Sequence, residues 1–372
     1  MTHRDEMPAR AGFREDAVSK RAKELVTPDV AFGKKVPTLV KLVLAGSLAA
    51  VVLASFALGR FAVAPADLLG GVYNHFFNPE LVGSDLAARK IDSVIFEIRV
   101  PRILLVILVG AGLAVAGASY QGMFKNPLVS PDLLGASAGA SLGACLGLLF
   151  DQPVWAVQLC AFFGGIVAVS AAVGLTRAVR YDPILGLVLG GILVSTLFQS
   201  GMSLVKLVAD ASDKLPLITF WLMGSFASVN NDDLLWSLVP FVVGFALLLL
   251  QRWQLNVLSF GDEEARALGV NTRRVRLLVI TASTLLTSVS VAVAGIVGWI
   301  GLVIPHLARA VVGPNYRVLL PTSLFVGASY LLVVDNIARL ATAVEIPIGI
   351  LTALLGVPFF VFIFRQNMRG WR

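Results

Sequence analysis

The sequence contains little charge, only two cysteines and only three histidines in its 372 residues. The histidines are His3, His75 and His306, and their wide separation predicts no metal-binding cluster. Cys145 and Cys160 both lie inside apolar runs, so we predict two small buried side chains and no disulfide framework. These scarcities argue against a metalloenzyme and against a disulfide-stabilised secreted domain.

Sequence signatures of catalysis are also missing. The chain has no phosphate-binding GxxxxGK(S/T) loop, no HExxH zinc motif and no GxSxG nucleophile elbow. We therefore predict that the chain is not an enzyme and binds no cofactor or metal of its own. If it transports a substrate actively, the energy is expected to come from a partner protein or from an ion gradient.

Apolar residues are abundant: 57% of the chain is hydrophobic and only 14% is charged. A helix needs about 20 apolar residues to cross a bilayer core, and most of the long uncharged runs are of that size. These runs are 42–59, 103–124, 133–150, 152–176, 183–205, 215–231, 234–251, 277–308, 318–334 and 346–364. The sequence predicts an all-α protein that crosses the lipid bilayer several times.

Charge and parity set the predicted topology. If 215–231 crossed the membrane, the arginine-rich segment 252–276 would lie outside, against the positive-inside rule, so we predict a non-spanning outer segment there. The run 277–308 is long for one helix and is interrupted by GWIG, so we predict two spans. Ten spans result, with cytoplasmic N- and C-termini.

This topology places 22 of the 30 lysines and arginines inside and 8 outside. The net charge of +7 is therefore interpreted as a determinant of topology, and no nucleic-acid partner is predicted. Residues 1–37 are predicted to be a disordered cytoplasmic tail, 38–366 a single ten-helix transmembrane domain, and 367–372 a cytoplasmic C-terminus.

A polar turn, residues 121–132, joins the predicted second and third spans. Pro127 and Pro131 disfavour helix there, so the two spans cannot fuse. Four glycines at intervals of four follow on one face of the third span, where another helix can approach closely. These glycines are Gly135, Gly139, Gly143 and Gly147. Tight packing alone explains them, whereas the turn holds more special residues than a short loop requires.

Four blocks of the sequence resemble the permease subunits of bacterial ABC importers for iron chelates, haem and cobalamin, the FecCD-type or type II permeases. The blocks are RVPRILLVILVGAGLAVAGASYQGMFKNPLVSPDLLGASAGA (99–140), GDEEARALGV (261–270), GIVGWIGLVIPHLAR (295–309) and DNIARLATAVEIPIGILTALLGVPFF (335–360). The resemblance covers residues 38–366 and is greatest to haem permeases. It implies a homodimer in the bacterial inner membrane, two cytoplasmic ATPase subunits that use ATP and Mg, and a periplasmic substrate-binding protein.

The resemblance assigns docking of the binding protein to Arg99, Arg102 and Arg339, which lie on the side poor in positive charge. Two local pairings are the alternative explanation. Asp335 and Arg339 are four residues apart, a spacing that pairs on a helix, and Glu97 lies close enough in sequence to pair with Arg99.

The resemblance also implies a coupling segment at about 255–275, which would transmit ATPase closure to the spans. Its candidate residues are Glu263, Glu264, Ala265, Arg266, Leu268 and Gly269. The acidic residues at 262–264 favour a helix that begins there, and a plain surface helix is the alternative. A cytoplasmic gate is implied at Asn126 and Leu128 in the turn and at Ile184 and Leu185 at the start of the fifth span.

Haem is the predicted substrate, with a ferric siderophore or cobalamin as alternatives. No histidine lies in the first seven spans, so we expect specificity to reside in the binding protein. A gradient-driven secondary transporter is a rival, but such proteins place carboxylates within their spans and these spans are nearly free of them. A membrane enzyme is disfavoured because no nucleophile, base or metal constellation converges.

Overall fold

The computed structural model describes residues 38–59, 61, 64–178 and 183–369, although the side chains at 65, 177–178, 183 and 362–369 are not described. The predicted tail at 1–37 and the end of the predicted C-terminal segment, 370–372, lie outside the described residues. Helix is the regular structure throughout these described ranges.

The described part of the chain starts with a membrane-length helix, continues through three short helices, and then enters the bundle. The helices are α1 (Thr38–Ala57), α2 (Pro65–Phe77), α3 (Pro79–Ser84), α4 (Leu86–Ser93), α5 (Val100–Phe124), α6 (Ala136–Leu149), α7 (Val154–Ala178), α8 (Pro183–Val208) and α9 (Lys214–Met223). A π-helical turn, Val94–Arg99, joins α4 to α5, and a 3-10 turn, Pro131–Leu134, precedes α6.

The second half alternates long helices with short ones. The helices are α10 (Asn231–Leu250), α11 (Arg252–Leu258), α12 (Asp262–Ala267), α13 (Thr272–Ala294), α14 (Ile300–Val312), α15 (Tyr316–Leu340) and α16 (Ile348–Arg369). Each of the ten segments predicted to span contains a helix, and seven helices of the described chain are long and apolar enough to cross a membrane. The predicted all-helical, multi-span fold class is confirmed.

The structure contains a counterpart of the predicted non-spanning segment at 215–231 and of the predicted split in the run 277–308. The segment predicted to be non-spanning contains α9, which is only 10 residues long. The run predicted to split does so between α13 and α14, where Gly295 and Trp299 have φ of 70° and 69°. Glycine adopts positive φ without steric cost, so the chain can leave the helix at Gly295. Trp299, at φ 69°, takes up this uncommon conformation just before α14 begins.

Helix α5 is the centre of the bundle, with 21 of its 25 residues buried. It packs against α14 and α15 through small residues: a Cβ at Gly117 would overlap the carbonyl oxygen of Gly301, and a Cβ at Gly110 would overlap that of Gly327. Close backbone approach of this kind replaces the hydrophobic driving force that helices lack inside lipid.

The bundle has two ends, and each end is marked by its own ion pairs. We name the end that holds Arg102 and Arg339 the outer end, and the end that holds Lys125 and Asp262 the inner end, following the predicted topology. Lys214 and Asp151 form an ion pair with each other, so the loops after α6 and α8 meet at one end.

One prediction about the apolar runs is wrong. Cys145 is buried, as predicted, but Cys160 is exposed on α7. A long apolar run does not distinguish a helix face that packs in the bundle from a face that meets lipid, because both are apolar.

Candidate functional site

The outer end of the bundle holds a buried network of charged side chains. Arg102, which is 6% exposed, donates through Nη2 to Asp335 Oδ1 at 2.8 Å and to Glu345 Oε2 at 2.8 Å. Its Nη1 donates to Glu345 Oε1 at 3.0 Å, while Nε lies 3.2 Å from both oxygens of Asp335. The planar guanidinium thus binds two carboxylates at once, a geometry that lysine could not reproduce.

Arg339 completes this network from α15. It is 7% exposed and its Nε lies 3.2 Å from Asp335 Oδ2, four residues earlier on the same helix. Its Nη2 donates to Asn336 Oδ1, and Asn336 Nδ2 donates to Ser55 Oγ at 2.7 Å, which ties α15 to α1. The alternative pairing of Asp335 with Arg339 is confirmed.

Arg99 is the most buried of the three predicted docking arginines, at 3% exposed. It donates to the carbonyl oxygen of Phe56 and, at 2.5 Å, to that of Phe61. The last carbonyls of a helix lack partners within it, so Arg99 caps the end of α1. The alternative pairing of Arg99 with Glu97 is therefore wrong. Glu97 is exposed, and the Arg99 guanidinium donates to backbone carbonyl oxygens. Docking by the three arginines stays a prediction, since their partners here belong to the chain itself.

The inner end contains the turn that joins α5 to α6. Lys125 has φ 52° and ends α5, and Asn126 Oδ1 accepts a hydrogen bond from the backbone N–H of Leu128 at 2.9 Å. The turn then folds back into the bundle: a Cβ at Gly301 would overlap the Pro131 ring and lie 3.1 Å from the carbonyl oxygen of Leu113. Asn126 and Leu128 are exposed at the tip, whereas Pro131 is buried at mid-bundle.

The glycine ladder of α6 lies against two helices. Cβ atoms at Gly139 and Gly143 would overlap backbone carbonyl oxygens of α7, and a Cβ at Gly147 would lie 3.1 Å from the Cα of Val157. Gly135, with φ 85°, instead faces Ser195 of α8 at 3.0 Å. The ladder therefore brings α6 close to α7, and its first glycine ends the turn.

The other predicted gate element is the start of α8. Ile184 is half-buried and Leu185 is exposed. A Cβ at Gly191 would overlap the carbonyl oxygen of Leu133, so the turn and α8 meet about two helical turns further along α8. The two predicted gate elements therefore contact each other. This contact is made by Leu133 and Gly191, which are not among the predicted gate residues.

Helix α8 also carries a polar stripe that the sequence reasoning missed. Thr196, Gln199, Ser200 and Ser203 are all exposed, and their spacing of three or four places them on one face of the helix. The three hydroxyls donate to backbone carbonyls one turn earlier, at 2.9, 2.9 and 3.0 Å. The presence of these four polar residues in the uncharged run 183–205 was visible in the sequence. The length of that run, however, does not show which face of the helix is exposed.

The predicted coupling segment forms α11, α12 and the turn into α13. Ala265 and Val270 are buried and anchor α12, whereas Glu263, Glu264, Arg266, Leu268 and Gly269 are exposed, Leu268 by 60%. The helix begins at Asp262, as predicted from the acidic run. The segment therefore presents one contiguous exposed face at the inner end.

Asp262 connects this segment to two other elements. Its Oδ1 accepts a hydrogen bond from Arg276 Nη2 of α13 at 2.7 Å, and Lys125 Nζ of the inner turn lies 3.8 Å away. Asp262 thus links α12 to a spanning helix and to the turn that carries the predicted gate residues.

Metal ligands do not converge within the described ranges, where no group of three or more His, Cys, Asp or Glu side chains comes together. His306 is half-buried on α14, and its ring centroid lies 6.2 Å from that of Phe360. It packs as an aromatic side chain there.

The sequence of the chain is similar to those of known transport permeases. The model of the FecCD transport family matches residues 47–366. The molybdate import system permease protein MolB of Haemophilus influenzae is 41% identical over 295 residues, which is 78% of this chain and 88% of the relative. The hemin transport system permease protein HmuU of Yersinia pestis is 39% identical over 280 residues, 73% of this chain and 83% of the relative.

A solved structure, described as an inward-facing conformation of a metal-chelate type ABC transporter, is 37% identical to this chain. It superposes with a TM-score of 0.78 and covers 88% of this chain and 100% of the solved chain. The family match at 47–366 includes both ends of the bundle described above. Since sequence and structure agree over this length, the chain belongs to the FecCD transport family.

Proposed function

We propose that this chain is the membrane-spanning subunit of an ABC importer in the bacterial inner membrane, and that two copies enclose the substrate pathway. The observation that carries this proposal is the exposed polar stripe on α8, formed by Thr196, Gln199, Ser200 and Ser203. Hydroxyl and amide groups are costly against lipid chains, and in membrane proteins they face protein or water-filled cavities. A second copy facing the stripe would remove it from lipid and line a polar pathway.

The energy source in this proposal is a pair of cytoplasmic ATPase subunits that bind ATP and Mg. The exposed face of α12, with the apolar Leu268 at its end, is a surface on which another protein can pack. The close ion pair of Asp262 with Arg276 would carry its displacement to α13, whereas the longer contact with Lys125 would let α12 shift against the tip of the inner turn.

Docking of a periplasmic binding protein is proposed for the outer end. Arg99, Arg102 and Arg339 are buried, so docking requires them to exchange some of their own partners for carboxylates of the incoming protein. Glu345 is the best candidate for exchange, because its side chain is 21% exposed whereas that of Asp335 is 0% exposed. Glu345 would then leave Arg102 when a partner carboxylate arrives.

An iron chelate, with haem first, is the proposed substrate, and cobalamin or a ferric siderophore are alternatives. The names of the relatives also include molybdate. The stripe segment 195–203 contains no cationic side chain that would hold a free oxyanion, which favours a chelate that presents groups for hydroxyl and amide contacts.

The test is uptake into proteoliposomes that contain this chain, its ATPase and its binding protein. Haem, a ferric siderophore, cobalamin and molybdate are compared with and without internal ATP. Ser200→Leu is expected to lower uptake, while Ser47→Leu, at a serine that is also exposed but lies on α1, leaves it unchanged. Uptake that does not depend on ATP, or equal effects of the two variants, would overturn the proposal.

A further inference from the structure

A crevice between α7 and α13 opens on the surface of the bundle near the inner end. Its volume is about 300 Å³, and its walls include Ser170, Val173 and Gly174 of α7 with Leu277, Ile280 and Thr281 of α13. Gly174 forms an open part of the wall, because a Cβ built there meets no other atom within 4 Å. The α7–α13 crevice is thus an open groove between two helices, and it is apolar except for a few hydroxyls.

Positive charge stands at the inner mouth of this crevice. Arg273 precedes Leu277 by one turn on the same face of α13, and Arg274 follows directly. Both side chains are exposed, and neither forms an ion pair in the part of the chain that the structure describes. The neighbouring Arg276, by contrast, is paired with Asp262. Two exposed guanidinium groups without an ion pair thus stand in the first turn of α13, next to the crevice.

We propose that the α7–α13 crevice binds an anionic phospholipid of the inner leaflet. One acyl chain would lie between Val173 and Ile280, across the open surface of Gly174, and the phosphate would contact Arg273 and Arg274. Acyl chains of any lipid can fill a crevice between membrane helices. The preference for an anionic headgroup would therefore come from the two arginines. Guanidinium groups bind phosphate oxygens bidentately, which suits this role.

Charge complementarity argues for lipid over other occupants of the crevice. A second copy of the chain would bring its own basic inner end against Arg273 and Arg274, which like charges disfavour. The assignment to the inner leaflet rests on the proposed orientation of the importer, whereas the binding itself does not.

The test uses the full chain in vesicles of phosphatidylcholine with a minor share of phosphatidylglycerol. Retained lipids are counted by native mass spectrometry after mild solubilisation. The wild type is expected to retain phosphatidylglycerol preferentially, and Arg273→Gln to lower that preference about fivefold. Arg317→Gln is the matched control, since Arg317 is also exposed in the first turn of a helix at the inner end, on α15 away from the crevice.

A second pair of variants tests the crevice itself. Gly174→Leu should fill the gap and remove the retained phosphatidylglycerol, whereas Gly46→Leu, on the exposed face of α1 with equally open space, should not. Equal retention in Arg273→Gln and Arg317→Gln, or in the two glycine variants, would overturn the proposal.

Photolabelling of the wild-type protein with a photoreactive phosphatidylglycerol tests the site without any variant. This test therefore holds even if a variant fails to fold. A diazirine in the acyl chain is expected to label residues 166–174 and 277–285. Labelling confined to other helices would refute the site. None of these measurements involves ATP or a transported substrate, so their failure leaves the proposed transport function standing, and the reverse also holds.

Discussion

Replacement of Asp335 by alanine is expected to destabilise the protein strongly. Asp335 is fully buried and is the shared acceptor for Arg102, at 2.8 Å, and for Arg339, at 3.2 Å. Removing one member of a buried ion pair leaves an uncompensated charge, which costs about 3–5 kcal/mol. Arg102 would keep Glu345 and Arg339 would keep Asn336, but both would lose the buried carboxylate that they share, so the loss should lie within this range.

Glu345→Ala should cost less, about 1–3 kcal/mol, because Arg102 then keeps Asp335 and because Glu345 is reached by water. The assay is reversible unfolding in mixed micelles with increasing dodecyl sulfate, followed by circular dichroism. Asp213→Ala, an exposed carboxylate at the same end, is the control and should change the free energy of unfolding by no more than about 0.5 kcal/mol.

A double-mutant cycle separates the pair from its surroundings. Arg102→Met combined with Asp335→Ala is expected to cost less than the sum of the two single changes, with a coupling of about 0.5–3 kcal/mol. The reasoning is refuted if Asp335→Ala resembles the Asp213→Ala control, or if Glu345→Ala is the more damaging single change.

Three further predictions concern the bundle and its inner end. Gly117→Ala should lower the free energy of unfolding by about 1–3 kcal/mol in the same assay, because a Cβ overlaps Gly301, whereas Gly46→Ala in open space should be neutral or stabilising. Leu268→Asp should reduce ATP-driven uptake about tenfold while the purified protein elutes normally in gel filtration, and Ala265→Asp, at a fully buried position, should impair folding. Asp262→Asn should change stability by no more than about 1 kcal/mol yet lower uptake; unchanged uptake would exclude a coupling role for its ion pairs.

The helices were predictable because the bilayer imposes a length on them. Run length predicted the break before α14, whereas the non-spanning position of the segment that contains α9, inferred from the distribution of arginine, stays a prediction. The start of α12 was predictable from three acidic residues, because carboxylates favour helix N-termini. These features depend on local sequence, and local sequence is sufficient to find them.

The buried charge network was not predictable, because its members are far apart in sequence. Arg102 is separated from Asp335 by 233 positions and from Glu345 by 243. Only the pairing of Asp335 with Arg339 followed from local spacing. The exposure of the α8 stripe was hidden for a different reason: in a membrane helix, polar residues can face protein, pathway or partner, and the sequence of one chain does not distinguish these surroundings.

The inner turn combines a weak contact with a tight one, and this difference indicates where the protein yields. The ion pair of Lys125 with Asp262, at 3.8 Å, is partly exposed and contributes about 0–1 kcal/mol. The Pro131 ring, by contrast, lies directly on Gly301, where even a Cβ would not fit. Packed backbones of this kind move together, whereas exposed ion pairs exchange with water. We therefore expect conformational change to begin by sliding between α12 and the tip of the turn, while the buried part of the turn moves with α14 as one unit.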